Sequence, residues 1–161
     1  MNETTFSRQV RKSLEAKFGD KCYLKKIVGN GMMGEGTLDM MGSINGKFVT
    51  IESKLIRKLP KRDDTEIGIK FTPNQILNAK QAAVSGGAAC GLVYLLEHKA
   101  AIIVPWTQME EANTFTLNYI KEAYLSDVNS VKELCSNFLI YREPHDMWDI
   151  KNLIAYLEVE N

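Results

Sequence analysis

The dipeptide Asn45-Gly46 constrains this chain more than any other feature of its 161 residues. It sits between two β-prone runs, Thr37 to Ile44 and Lys47 to Lys54. A two-residue turn of this kind needs positive φ at both positions, which Asn and Gly supply, and it joins antiparallel strands. The turn also sets the register. Ile44 faces Lys47, and counting outward brings Asp39 opposite Glu52. Cross-strand side chains project on one face with Cβ atoms about 5 Å apart, and Lys54, two residues after Glu52, shares that face. Leu38, Met40, Ile44, Val49 and Ile51 collect on the other face as a candidate core.

Two carboxylates placed directly opposite repel each other, and sheets avoid the arrangement unless something compensates. A divalent cation does so. Mg²⁺ is commonly held by one or two carboxylates, with water and substrate oxygens completing its shell. Lys54 adds a positive charge that can stabilise developing negative charge or orient an attacking hydroxide. The same spacing also suits a plain surface hairpin in which Lys54 pairs with Asp39 or Glu52.

The elements around the hairpin predict a mixed sheet flanked by helices. Phe6, Val10, Leu14 and Phe18 recur every four residues and predict a helix from Thr5 to Phe18, ended by Gly19 and Asp20. A short strand from Cys22 to Val28 leads into a glycine-dense loop, Gly29 to Gly36. That loop contains G-x-G-x-x-G, but no helix follows it to meet a pyrophosphate, so a dinucleotide site is not expected. The polar, basic stretch Leu55 to Lys70 reads as a loop. Thr72-Pro73-Asn74-Gln75 opens a second helix with a capping box, and Gly86-Gly87 closes it. Two apolar runs, Ala88 to Leu96 and Ala100 to Pro105, predict buried strands. The remainder reads as mostly helical, with Val131, Leu134, Cys135 and Phe138 on one face and Ile150, Leu153, Ile154 and Leu157 on another.

The segment Thr37-Leu38-Asp39, followed by Glu52-Ser53-Lys54, resembles the motif of the PD-(D/E)XK nuclease superfamily. With Glu15 on the preceding helix, the spacing is similar to that of archaeal Holliday-junction resolvases. The Gly34 to Asp39 approach and the Thr72-Pro73-Asn74-Gln75 helix start resemble phage and VRR-type nucleases. Leu38 stands where the superfamily usually has Pro, and Ser53 where it usually has an apolar residue. Pointing to the core face, Ser53 needs a hydrogen-bond partner or some exposure.

The resemblance implies a restriction-endonuclease-like α/β fold with a helical C-terminal extension. The nuclease core would span residues 1–105, and an acidic extension, 106–161, would pack on the same domain. It implies Mg²⁺- or Mn²⁺-dependent hydrolysis of DNA phosphodiester bonds. Asp39 and Glu52 would hold the metal, with Glu15 and the Ser53 carbonyl as further ligands. Lys54 would position or activate the attacking water, and Gln75 would orient the lysine or a phosphate. A capping role accounts for Gln75 equally well. A nuclease fold retained only for binding DNA or a protein is the alternative.

The charge distribution bears on the partner. Lys and Arg balance Asp and Glu at 20 each over the whole chain. Yet residues 1–105 carry 16 basic and 10 acidic side chains, and residues 106–161 carry 4 and 10. A basic half attracts polyanions. Arg57, Lys58, Lys61 and Arg62, directly after the E-x-K triplet, are candidates to neutralise DNA phosphates without reading bases. No recognition helix is evident, so structure-selective cutting is expected over site-specific restriction. Symmetric cleavage of a junction would imply a homodimer. No apolar run of transmembrane length and no secretory leader is seen, and the three cysteines lack metal-ligand spacing, so a reduced, cytoplasmic setting is expected.

Overall fold

Helix α1 (Glu3–Phe18) begins where the Asn2 side chain accepts the Thr5 N–H at 2.8 Å, two residues earlier than the apolar stripe alone predicts. Phe6, Val10 and Leu14 are wholly buried, so the four-residue stripe is the face that α1 lays on the sheet. Gly19 ends the helix with φ of 56°. The computed structural model describes residues 1–27, 39–125 and 136–160. The expected loop Gly29 to Gly36, Thr37 and Leu38, and Val131, Leu134 and Cys135 of an expected helix lie outside the described residues.

Seven strands form one sheet among the described residues: β1 (Cys22–Lys26), β2 (Met40–Ile44), β3 (Lys47–Ile56), β4 (Ala88–Leu95), β5 (Ala100–Pro105), β6 (Leu139–Glu143) and β7 (Met147–Asp149). Their order in the sheet is their order in the chain. Every neighbouring pair is antiparallel except β3 and β4, which run parallel. A parallel step needs a crossover, and helix α2 (Pro73–Val84) lies within it. The capping box at its start is formed in both directions between Thr72 and Gln75.

Both faces of the sheet are covered. Along β4, Cys90, Leu92 and Tyr94 join one apolar cluster with α1, while Ala89, Val93 and Leu95 join another with α2. This alternation is the period-two geometry of a strand buried on both sides. The architecture is a mixed α/β sheet flanked by helices, consistent with the restriction-endonuclease-like arrangement the sequence implies.

Two stretches differ from expectation. Within the supposed loop, β3 continues to Ile56, and Ile67, Ile69 and Phe71 are buried in alternation. Ile67 N–H donates to the Phe115 carbonyl, and Phe71 exchanges two hydrogen bonds with the Asn113 side chain. After Trp106, helices α3 (Met109–Ala112), α4 (Leu117–Ile120) and α5 (Lys151–Leu157) are present, but so are strands β6 and β7. Phe138 is 40% exposed in the turn that precedes β6, not on a helical face. Trp148 of β7 packs edge-on to Phe6 and Tyr94, and its indole N–H donates to Gln9 Oε1 at 3.1 Å. The acidic C-terminal stretch therefore shares the sheet and the core of the basic N-terminal one.

Candidate active site

The β2–β3 register follows the turn as expected. Ile44 pairs with Lys47 and Met40 with Ile51, and Asn45 and Gly46 both have positive φ. Strand β2 starts at Met40, so Asp39 stands at the mouth of the hairpin. Three elements hold it there. Its N–H donates to Glu52 Oε1 at 3.1 Å, its carbonyl accepts from Ile27 N–H at 2.8 Å, and its Oδ2 accepts from the Ser7 hydroxyl of α1 at 2.5 Å.

Glu52 is buried, with 6% of its surface exposed. The hairpin is therefore not a surface one at this point, although the Lys54–Glu52 ion pair of that reading is formed. Lys54 Nζ lies 3.5 Å from Glu52 Oε2 and 5.6 Å from the centre of the Phe71 ring. Burial pushes the Glu52 carboxyl up to about 7; Lys54 works against this, and the nearby charge of Asp39 adds to it. A carboxylate held so far from water gains more than an exposed one from an arriving cation.

Phe71 and Gly91 complete the surroundings, and sequence reasoning did not single out either. Gly91 pairs with Glu52 across the parallel step. A Cβ on Gly91 would lie 2.3 Å from the Phe71 ring, so the glycine makes the space that the ring fills. The glycine in an otherwise apolar strand was the available signal, since it marks a close approach. Ser53 points to the opposite face, as the register requires. It is 1% exposed, and its hydroxyl has no hydrogen-bond partner among the described residues.

Glu15 is not at the site, which corrects the expectation that it joins the metal ligands. It lies eight residues beyond Ser7, about 12 Å further along the helix. Its carboxylate meets Arg11 Nε at 3.6 Å and, together with burial, raises the pKa of the Cys22 thiol. Cys22 pairs with Ile44 at the turn end of the hairpin, whereas Asp39 is at the open end. The α1 residue that touches Asp39 is Ser7. Gln75 commits its side-chain oxygen to the Thr72 N–H at 3.0 Å, the capping role. Arg57, Lys58, Lys61 and Arg62 are exposed on the chain that leaves β3 beyond Lys54, with Arg62 paired to Asp64 at 3.3 Å.

Among the described residues, no three Asp, Glu, His or Cys side chains gather as metal ligands. The acidic groups that the hairpin brings together are the Asp39 and Glu52 carboxylates. Such a set suits a hard cation that keeps several waters, and does not suit zinc, which takes three or four protein ligands.

No family model and no curated protein matches the chain. Among solved structures, that of Hjc, a Holliday junction resolvase from the archaeal hyperthermophile Archaeoglobus fulgidus, is similar over 61% of this chain and 74% of that one, at 14% identity and a TM-score of 0.39. No helix of the described residues is long and apolar enough to cross a membrane.

Proposed function

We propose that this protein is a metal-dependent nuclease that hydrolyses DNA phosphodiester bonds, selecting its substrate by structure in the manner of a junction resolvase. One observation carries the reading: a buried carboxylate, Glu52, joined to Asp39 on one side and to Lys54 on the other. Asp39, Glu52 and the Ser53 carbonyl would hold Mg²⁺ or Mn²⁺. The bound ion would lower the pKa of a water and offset charge on the scissile phosphate. Lys54, paired with Glu52, would hold the attacking water and balance charge on the phosphate oxygens. The Phe71 ring lies 5.6 Å from its ammonium. Ser7 fixes the Asp39 carboxylate by donating to one oxygen, leaving the other for a ligand. The exposed Arg57, Lys58, Lys61 and Arg62 would carry backbone phosphates away from this point. Paired cuts in a junction would need two copies of the chain.

A second reading, a nuclease-like module that binds DNA or a protein without cutting it, draws on the lack of a third acidic ligand among the described residues. One experiment separates the two. A four-way junction, a flap, a single strand, a linear duplex and RNA are incubated in Mg²⁺ or Mn²⁺ with wild type, Asp39→Ala and Lys54→Ala. Metal-dependent cutting that both substitutions abolish supports the nuclease, and the preferred substrate names its class. Junction binding without cutting, unchanged by either substitution, establishes the module instead.

A further inference from the structure

On the α1 side of Asp39 the surface is hollowed into a recess of about 70 Å³, lined by Thr4, Ser7, Arg8 and Arg11 of α1, Lys26 of β1 and Met40 of β2. That is room for about two waters or one tetrahedral anion. Among the described residues the lining holds three cations and two hydroxyls, and the Ser7 hydroxyl is bonded to the Asp39 carboxylate. One feature arranges the cations. Lys26 Nζ is tied to Thr4 Oγ1 at 3.1 Å, which holds the ammonium over the first turn of α1. Arg11 is offset by Glu15, whose carboxylate stands 3.6 Å from its Nε, whereas the exposed Arg8 and Lys26 have no ion pair among the described residues. The recess also touches the candidate active site, because the Ser7 hydroxyl that lines it donates to Asp39.

We infer that this recess binds one phosphate group of a nucleic-acid strand, next to the phosphate presented to Asp39 and Glu52. The identity of the strand rests on the nuclease reading; the anion site does not. Guanidinium groups match phosphate oxygens two at a time, and the Thr4 hydroxyl, which accepts from Lys26, keeps its own proton to donate. Holding the neighbouring phosphate fixes the strand on the α1 side of the site.

The test is binding in chelator, so that nothing is cut. Labelled single strands and four-way junctions, with and without a 5′-phosphate, are titrated at several salt concentrations. The proteins are wild type, the double variant Arg8→Gln/Lys26→Gln, the charge-keeping variant Arg8→Lys/Lys26→Arg, and Lys151→Gln as a control near the far end of α1. The double variant is expected to bind about tenfold or more weakly, with a slope of log affinity against log salt reduced by one to two. The charge-keeping variant is expected to keep the wild-type salt slope, and the control to match wild type in slope and affinity. A loss confined to 5′-phosphorylated strands assigns a terminal phosphate, and a loss on all strands assigns an internal one. An unchanged slope in the double variant, or an equal loss in Lys151→Gln, overturns the proposal. Failure of wild type to cut in Mg²⁺, with binding still lost in the double variant, would sink the nuclease reading and leave the recess standing.

Discussion

Glu52 carries a measurable cost at neutral pH. Its carboxyl is raised from 4.5 to about 7 in the folded chain, chiefly by burial. Between those two values the folded state keeps a proton that the unfolded state has lost. Stability from this group is therefore full below about 4.5 and declines as the pH rises towards 7. The decline is on the order of 2–3 kcal/mol for the metal-free protein. Glu52→Gln is expected to abolish that slope and to be more stable than wild type at pH 8, as read from urea unfolding in chelator at pH 5 and pH 8. Equal slopes in the two proteins would contradict the burial argument. Ser53 offers a second check. Its buried hydroxyl has no partner among the described residues, so Ser53→Ala is expected to stabilise the fold by about 1 kcal/mol. Cleavage should persist, because the backbone carbonyl is kept. At this scale the opposition of Asp39 and Glu52 was legible, since a two-residue turn admits one register. That Ser7 and not Glu15 meets Asp39 was not, because distance along a helix says nothing about which end of the hairpin it meets. The contact of Phe71 with Gly91 was equally hidden, being made between residues twenty apart with helix α2 between them.

Elements with local chemical signals were legible in the sequence. The four-residue stripe gave α1, Asn45-Gly46 gave the hairpin, and Thr72-Pro73-Asn74-Gln75 gave the start of α2. The extended stretch through Ile67, Ile69 and Phe71 was obscured because Asp63, Asp64, Glu66 and Lys70 surround it, and only its partners Phe115 and Asn113 make its alternation matter. The pairing of β1 with β2 has one point of very close approach. A Cβ on Gly42 would lie 1.7 Å from the Tyr23 carbonyl oxygen, a contact with backbone that no rotamer relieves. Gly42→Ala is expected to cost more than about 3 kcal/mol. It should also weaken cleavage, since the parting of β1 from β2 releases Ile27 from the Asp39 carbonyl. Thermal unfolding and the cleavage assay read both effects, and a variant as stable as wild type would show that the strands do not approach this closely in solution.

Across the whole molecule, the C-terminal stretch is part of the core. Trp148 fills the space between Phe6 and Tyr94, and its N–H groups bond to Ser13 and Gln9. Trp148→Ala is expected to cost about 3–5 kcal/mol, and ending the chain before β6 to abolish cooperative unfolding in calorimetry. Retention of a cooperative transition by the shortened chain would show that β1 to β5 fold alone. Sequence reasoning missed β6 and β7 because their turn lacks the Asn-Gly signature. Positive φ falls instead on His145 and Asp146, at 65° and 60°.

The sheet's ordering has a consequence for how the molecule is made. Six neighbouring strand pairs follow chain order, and five of them are antiparallel, so β1–β3 and β4–β7 are each built from pairings of successive strands. The parallel seam between them joins residues nearly forty apart, and long-range closure of that kind is the slow part of folding. Glu52 lies on one side of the seam and Gly91, with the Phe71 ring over it, on the other. Refolding chains would thus regain most of their strand signal before the two groups of strands dock. The recovery of Lys54 and Glu52 as a working pair would lag behind, timed by the closing of one seam.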